Sequence, residues 1–299
     1  MKKILRPLGF LLVLGLLLIP VSLLLCPKNN TEEAGVLYPS AAEILSQPEN
    51  SVDVLFLGDS EAYSSFVPLS LWQQTGIPSF VCSSLDQKTY ETVELLQMAL
   101  SCQKPRLVVL ETNVLYRVYP STDRLAPMVE SRIPALRYHD RWKSLTKADF
   151  FSLPHFTAES PLRGYHLLLT AQSADTDGYM RPMEEWEPLS RSNLGDLRKI
   201  RDLCRENGAE LLLFSAPSPA NWTMRRHNTV TDTAESLGVP YIDGNLLDLG
   251  IDWNTDTYDG GDHLNYRGAQ KVTAWLGTYL ADTYPLENRR SDDRFAQWD

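Results

Sequence analysis

Val52-Asp53-Val54-Leu55-Phe56-Leu57-Gly58-Asp59-Ser60 is the stretch on which the fold turns. Its aliphatic and aromatic run is too short for a helix and reads as a buried strand. Gly58-Asp59 then turns the chain sharply, so the Ser60 hydroxyl projects from the strand's carboxyl end. Downstream, Pro78 to Cys82 and Arg106 to Leu110 are further strand-type runs, and Thr89 to Cys102 between them carries Val93, Leu96 and Leu100 at helical spacing. Regularity is lost from Tyr116 to about Glu187. It returns with Ser192 as the N-cap of a helix through Leu197, Ile200 and Leu203 that stops near Gly208. A strand over Glu210 to Ser215, a helix over Trp222 to Leu237 and a strand over Val239 to Ile242 follow. Asn265 caps a last amphipathic helix carrying Val272, Trp275, Leu276 and Leu280.

Buried strands alternating with helices make βαβ units, and therefore an α/β fold with a parallel sheet covered on both faces. Ligands of such sheets sit at the carboxyl ends of the strands. That edge collects Gly58 to Ser60, Cys82 to Asp86, Glu111 to Asn113, Ser215 to Pro219 and Asp243 to Asn245. The irregular insertion of about 116–187 leaves the third strand at the same edge and reads as a lid or substrate-recognition element. After Pro285 the chain is charged, and a loosely held end is expected.

The N-terminus has a different character. Lys2, Lys3 and Arg6 precede an uncharged run from Leu8 to Cys26. As a helix this run reaches about 30 Å, the hydrocarbon thickness of a bilayer. Basic residues on its N-terminal flank favour a cytoplasmic start and an extracytoplasmic remainder. No small-residue cleavage site follows the run, so residues 1–30 are expected to be a cytoplasmic stub and uncleaved signal anchor in the cell membrane, and 31–299 an extracytoplasmic domain.

Composition narrows the remaining choices. Among 299 residues, 43% are hydrophobic and 22% charged, which excludes disordered, collagenous and disulfide-dense classes. With 28 basic against 38 acidic residues the net charge is −10, which argues against nucleic acid as a partner. Cys26, Cys82, Cys102 and Cys204 lack zinc-binding spacing, so no metal site is expected of them and buried thiols are the simpler reading.

A serine hydroxyl needs a base within reach and donors for the oxyanion that its attack creates. His263, in Asp259-Gly260-Gly261-Asp262-His263-Leu264-Asn265-Tyr266-Arg267-Gly268-Ala269, precedes the last helix and returns to the strand-end edge, where it is expected within hydrogen-bonding distance of Ser60. Histidine takes and returns protons near neutral pH, and a neighbouring carboxylate fixes its tautomer.

Gly58-Asp59-Ser60 and the His263 segment together resemble the first and last blocks of the SGNH (GDSL-like) serine hydrolase superfamily. Within it the chain is most similar to membrane-anchored bacterial envelope members, relatives of the D-alanyl-lipoteichoic-acid protein and the polysaccharide O-acetyltransferases. The resemblance covers roughly residues 50–115 and 190–283. It implies a flavodoxin-like three-layer sheet, Ser60 as nucleophile and His263 as base, with no cofactor. An oxyanion hole would form from the Ser60 amide, the Ser84 amide and the Asn113 side chain. This sequence departs from the family at the second block, Ser83-Ser84-Leu85-Asp86, which has no glycine. It departs again at the third, where Glu111-Thr112-Asn113 stands for Gly-x-Asn-Asp. The aspartate usually found three residues before the histidine falls on Gly260, leaving Asp262 and Asp259 as alternatives, with Asp262 slightly favoured. Glu61 and Trp222 are candidate substrate contacts, against a solvated helix-start carboxylate and ordinary packing. His227 and the Tyr138–Trp142 cluster, a potential sugar platform, carry the same two readings. The implied chemistry is serine-dependent hydrolysis or transfer of O-acyl esters on an envelope glycan or teichoic-acid-like polymer, with a membrane acyltransferase as a partner. The alternative is a catalytically weakened scaffold component of an envelope assembly.

Overall fold

A computed structural model describes residues 2–298. The chain divides into two units, Met1–Pro39 with Tyr119–Ala158, and Ser40–Val118 with Glu159–Asp299. The region read as one insertion is thus shared between them: 119–158 joins the N-terminal segment, and 159–187 belongs to the body.

In the smaller unit, helix α1 spans Lys2–Leu25 and continues through Pro20. Over Arg6–Leu25 it is long and apolar enough to cross a membrane, and Phe10, Leu12, Leu16 and Leu23 stand exposed along it. Short helices at Leu125–Glu130, Pro134–Arg137 and Lys147–Phe151 make up the rest. Arg141 ties them together, donating to the Leu25 carbonyl at 2.6 Å and to Asp149 at 2.8 Å. Tyr138–Trp142 lies in this unit, separate from the one that carries Ser60.

The larger unit holds a five-stranded parallel sheet in the order β2-β1-β3-β4-β5. Its strands are β1 (Val54–Gly58), β2 (Ser79–Ser83), β3 (Leu107–Glu111), β4 (Glu210–Ser215) and β5 (Tyr241–Asp243). The central strands are buried on both faces, as their unbroken apolar runs require. Val54, Phe56, Val81, Val109, Leu212 and Phe214 form one core with Leu71, Val272, Leu276 and Leu280. Those partners come from α3 (Pro68–Thr75) and α7 (Tyr266–Thr283), which pack together with α2 (Ser60–Ser65). Strand alternation sends Leu55, Leu57, Val108, Leu110 and Leu213 to the opposite face. There α4 (Thr89–Leu100) and α5 (Arg191–Glu206) pack against each other and cover the sheet. This is the three-layer α/β architecture expected, with α6 (Met224–Leu237) against β5.

Three local expectations are corrected. Helix α5 is capped by Ser190, whose hydroxyl accepts from the Asn193 amide at 3.0 Å, so it begins before Ser192. Helix α6 begins only after Thr223, leaving Trp222 in the preceding turn. The C-terminal segment is anchored, not loose. Phe295 and Trp298 are buried against Trp72, the Arg163 guanidinium lies 4.6 Å over the Trp298 ring, and Arg289 pairs with Asp53 at 2.9 Å. Two aromatic side chains outweigh the charge around them, because fully burying one stabilises by about 1.5–3 kcal/mol. All four cysteines are free.

Candidate active site

The carboxyl edge of the sheet builds the site. β1 ends at Gly58, whose φ of +148° suits glycine, and a Cβ there would meet Glu111 Cβ at 2.8 Å and Ala62 Cβ at 2.9 Å. This close approach lets Asp59 cap α2, its carboxylate accepting from the Glu61 amide at 3.1 Å. Ser60 is the first residue of that helix, where a backbone amide has no intrahelical acceptor and suits an oxyanion. Its side chain is almost wholly covered, with 1% exposure.

On the histidine loop, Gly260 and Gly261 have φ of +80° and +100°, which wind an additional residue between aspartate and histidine. Asp259 is thereby brought back onto His263 twice. Its Oδ2 lies 2.7 Å from His263 Nδ1, and its Oδ1 accepts the His263 amide at 2.7 Å. Asp262 Oδ1 is 3.7 Å from the same nitrogen. The carboxylate that orients the ring is therefore Asp259, not the sequence-adjacent Asp262. With Nδ1 so engaged, Nε2 is the atom left for proton transfer. It is buried and has no hydrogen-bond partner among the described residues.

The hydrogen bond expected between Ser60 and His263 is not made: His263 Nε2 has no partner among the described residues. Tyr63 lies one turn along α2 from Ser60; burial and the charge of Asp59 push its phenol up, and the Ser60 hydroxyl opposes them. The Tyr63 ring lies parallel to His263 at 6.4 Å and stacks on His166 at 4.0 Å. Residues 166–174 run along the histidine loop: the Gln172 amide donates to the Thr257 carbonyl at 3.1 Å, and Tyr266 donates to Leu168 at 2.8 Å.

The oxyanion candidates differ in their engagement. Ser84 directly follows β2, half-buried, with its hydroxyl donating to Gln87 at 3.1 Å. Asn113 Nδ2 donates to Asp59 at 3.2 Å and its Oδ1 accepts from Arg226 at 3.1 Å, which fixes the amide's orientation and leaves one N–H for a ligand. Arg117, a polar residue in irregular chain with no motif to mark it, pairs with Asp59 at 2.5 Å and with Asp86 at 3.0 Å.

Glu61 is not the solvated carboxylate one reading allowed. It is 1% exposed, accepts from Asn221 at 2.8 Å through Oε1, and leaves Oε2 without a partner among the described residues. Burial first, then the charges of Glu111 and Asp59, push it well above the usual carboxylate range. Glu111 is raised likewise by burial and by Asp59. Burial also pushes Asp59 up, opposed by Arg117. Of the three, Asp59 has the Arg117 cation beside it, and Glu61 has an oxygen without a partner among the described residues. A glutamate directly after Ser60 and another at the end of a strand-type run were the available signals, since a carboxylate at either place demands a partner once buried.

Trp222 is likewise displaced from the role of substrate contact. It is 2% exposed, and its indole donates to Asp243 at 2.9 Å. Asp243 also holds His227 Nδ1 at 2.8 Å and accepts from the Asn245 amide, so this aspartate organises the turn after β5. Asp259, Asp262 and His263 have ligand atoms within 4.8 Å of one another, the composition of a cation site. Their hydrogen bonds within the loop and to Asn221 instead suit ring orientation.

No family model and no curated protein sequence matches the chain. Among solved structures, it is similar to a GDSL-like lipase from Bacteroides thetaiotaomicron, at 11% identity and a TM-score of 0.40, over 82% of this chain and 96% of that one. It is also similar to the lipase/acylhydrolase from Enterococcus faecalis, at 10% identity and a TM-score of 0.41, over 79% and 99%.

Proposed function

We propose that the chain is a serine-dependent acyl-ester hydrolase or transferase acting on an envelope glycan or teichoic-acid-like polymer. The observation that carries this reading is the state of His263. Nδ1 is tied to a carboxylate, while Nε2 is buried and has no hydrogen-bond partner among the described residues. That is the arrangement a general base requires.

In this reading the Ser60 hydroxyl gives its proton to His263 Nε2 as Oγ bonds to the ester carbonyl carbon. The Ser60 and Ser84 amides and Asn113 Nδ2 receive the oxyanion. Collapse breaks the bond to the alcohol, which departs with the proton from His263, leaving Ser60 acylated. Water then yields a hydrolase, and a sugar hydroxyl yields a transferase. The envelope assignment rests on the apolar helix at Arg6–Leu25 and the resemblance of the two end blocks.

Incubating the purified full chain in detergent with O-acetylated glycan, and separately with D-alanylated teichoic acid, tests the substrate class. Release or transfer of the acyl group by wild type and not by Ser60→Ala is expected. Turnover of small aryl esters without action on either polymer would overturn the envelope assignment. Inertness towards every ester would favour the scaffold reading.

A further inference from the structure

Two carboxylates flank one ring nitrogen, and Nδ1 carries a single proton to give. Asp259 Oδ2 holds it at 2.7 Å, while Asp262 Oδ1 stands 3.7 Å away on the neighbouring residue. A shift of about an ångström would let Asp262 compete, and hydrogen bonds weaken over such distances. That oxygen is already engaged. Asn221 Nδ2 donates to Asp262 Oδ1, the same oxygen that faces Nδ1.

We propose that Asn221 is a positioning residue that holds Asp262 off His263 and so assigns the ring to Asp259; this rests on the reading of His263 as the general base. Asn221 is itself held from two sides. Its other amide proton goes to Glu61 Oε1 at 2.8 Å, on the helix that starts with Ser60. Its turn, which follows β4, is sewn to the histidine loop. Ser218 Oγ contacts the Gly261 and Asp262 carbonyls, each at 2.9 Å, and the Ala220 amide donates to Gly261 at 3.1 Å. Glu61 Oε1 and Asp262 Oδ1 both accept from Asn221 Nδ2, so one primary amide satisfies both carboxyl groups with its two N–H groups. The nucleophile helix, the β4 turn and the histidine loop therefore meet at a single side chain. Nothing in the blocks of sequence around Ser60 and His263 points to it.

The proposal predicts a pattern of non-additivity. Asn221→Leu frees Asp262 and is expected to lower kcat on an aryl ester by about 10- to 30-fold, with KM within twofold. Asp262→Ala lowers kcat by no more than about threefold, and Asn221→Leu combined with Asp262→Ala returns kcat to the level of Asp262→Ala. Interaction of this size is expected only for residues sharing a contact. In full chain labelled with 15N-histidine, the Nδ1–H resonance of His263 is expected to shift in Asn221→Leu and to return in the double variant. Should Asn221→Leu fail to fold, Asn221→Ser takes its place in the same set. A double variant as impaired as Asn221→Leu, or a single variant with kcat and resonance unchanged, overturns the proposal. If wild type is inert on esters the functional reading fails, and the resonance alone still decides the role of Asn221.

Discussion

Replacing Glu61 with glutamine isolates a single buried proton. In the folded chain burial and neighbouring negative charge raise the affinity of Glu61 for its proton, with Oε2 free to carry it. In the unfolded chain the same group titrates near about 4.3. Above that pH the folded state binds a proton that the unfolded state has released. Stability from this group is thus fully present below about pH 4.3 and falls as pH rises, until the raised folded value is reached. The slope in that window is at most about 1.4 kcal/mol per pH unit. Glu61→Gln keeps the acceptor for Asn221 and abolishes the titration, while Asp59 and Glu111 remain in both proteins and largely cancel. The variant should therefore gain on wild type as pH rises above about 4.3, by at most about 1.4 kcal/mol per pH unit. In thermal unfolding of the full chain in detergent that slope corresponds to roughly 3–6 °C per pH unit in the difference of Tm. A difference that stays flat with pH would refute the reasoning. So would one that widens towards acid, which marks an ionised, paired carboxylate.

Three further outcomes follow from the geometry. Asp259→Asn places a donor opposite Nδ1 and disfavours the productive tautomer, so kcat on an aryl ester should fall about a thousand- to ten-thousand-fold with little change in KM. A smaller loss than that of Asp262→Asn would contradict the assignment. Gly58→Ala inserts a methyl group within 2.9 Å of both Glu111 Cβ and Ala62 Cβ at a φ disfavoured for alanine, and should cost about 2–5 kcal/mol in chemical denaturation. Trp298→Ala strips the packing from Trp72 and Arg163 and should cost about 2–4 kcal/mol, whereas a loose C-terminus would show no change.

Much of this molecule is legible in its sequence, because the central strands are buried on both faces and need unbroken apolar runs. Val54–Gly58, Leu107–Glu111 and Glu210–Ser215 lie within a residue or two of the expected spans. The edge rule for parallel sheets then collected Ser60, Ser84, Asn113 and Asp243 at one end. What stayed hidden depends on contacts between distant residues. The choice of Asp259 over Asp262 turns on two left-handed glycines, which change direction without leaving a periodic signal. Arg117 and Asn221 are polar residues in irregular chain, and only the fold reveals which buried carboxylates they serve. Trp222 reads as a substrate contact or as ordinary packing, until its indole is seen committed to Asp243. The division of 116–187 between two units was equally invisible, since short helices and extended chain share one irregular composition.

The account stands or falls on the reactivity of one hydroxyl. Full-chain protein treated with a fluorophosphonate and digested for mass spectrometry should carry a single adduct, on Ser60, and lose it in Ser60→Ala and in His263→Ala. An adduct on another residue, or equal labelling of the His263→Ala protein, would contradict it.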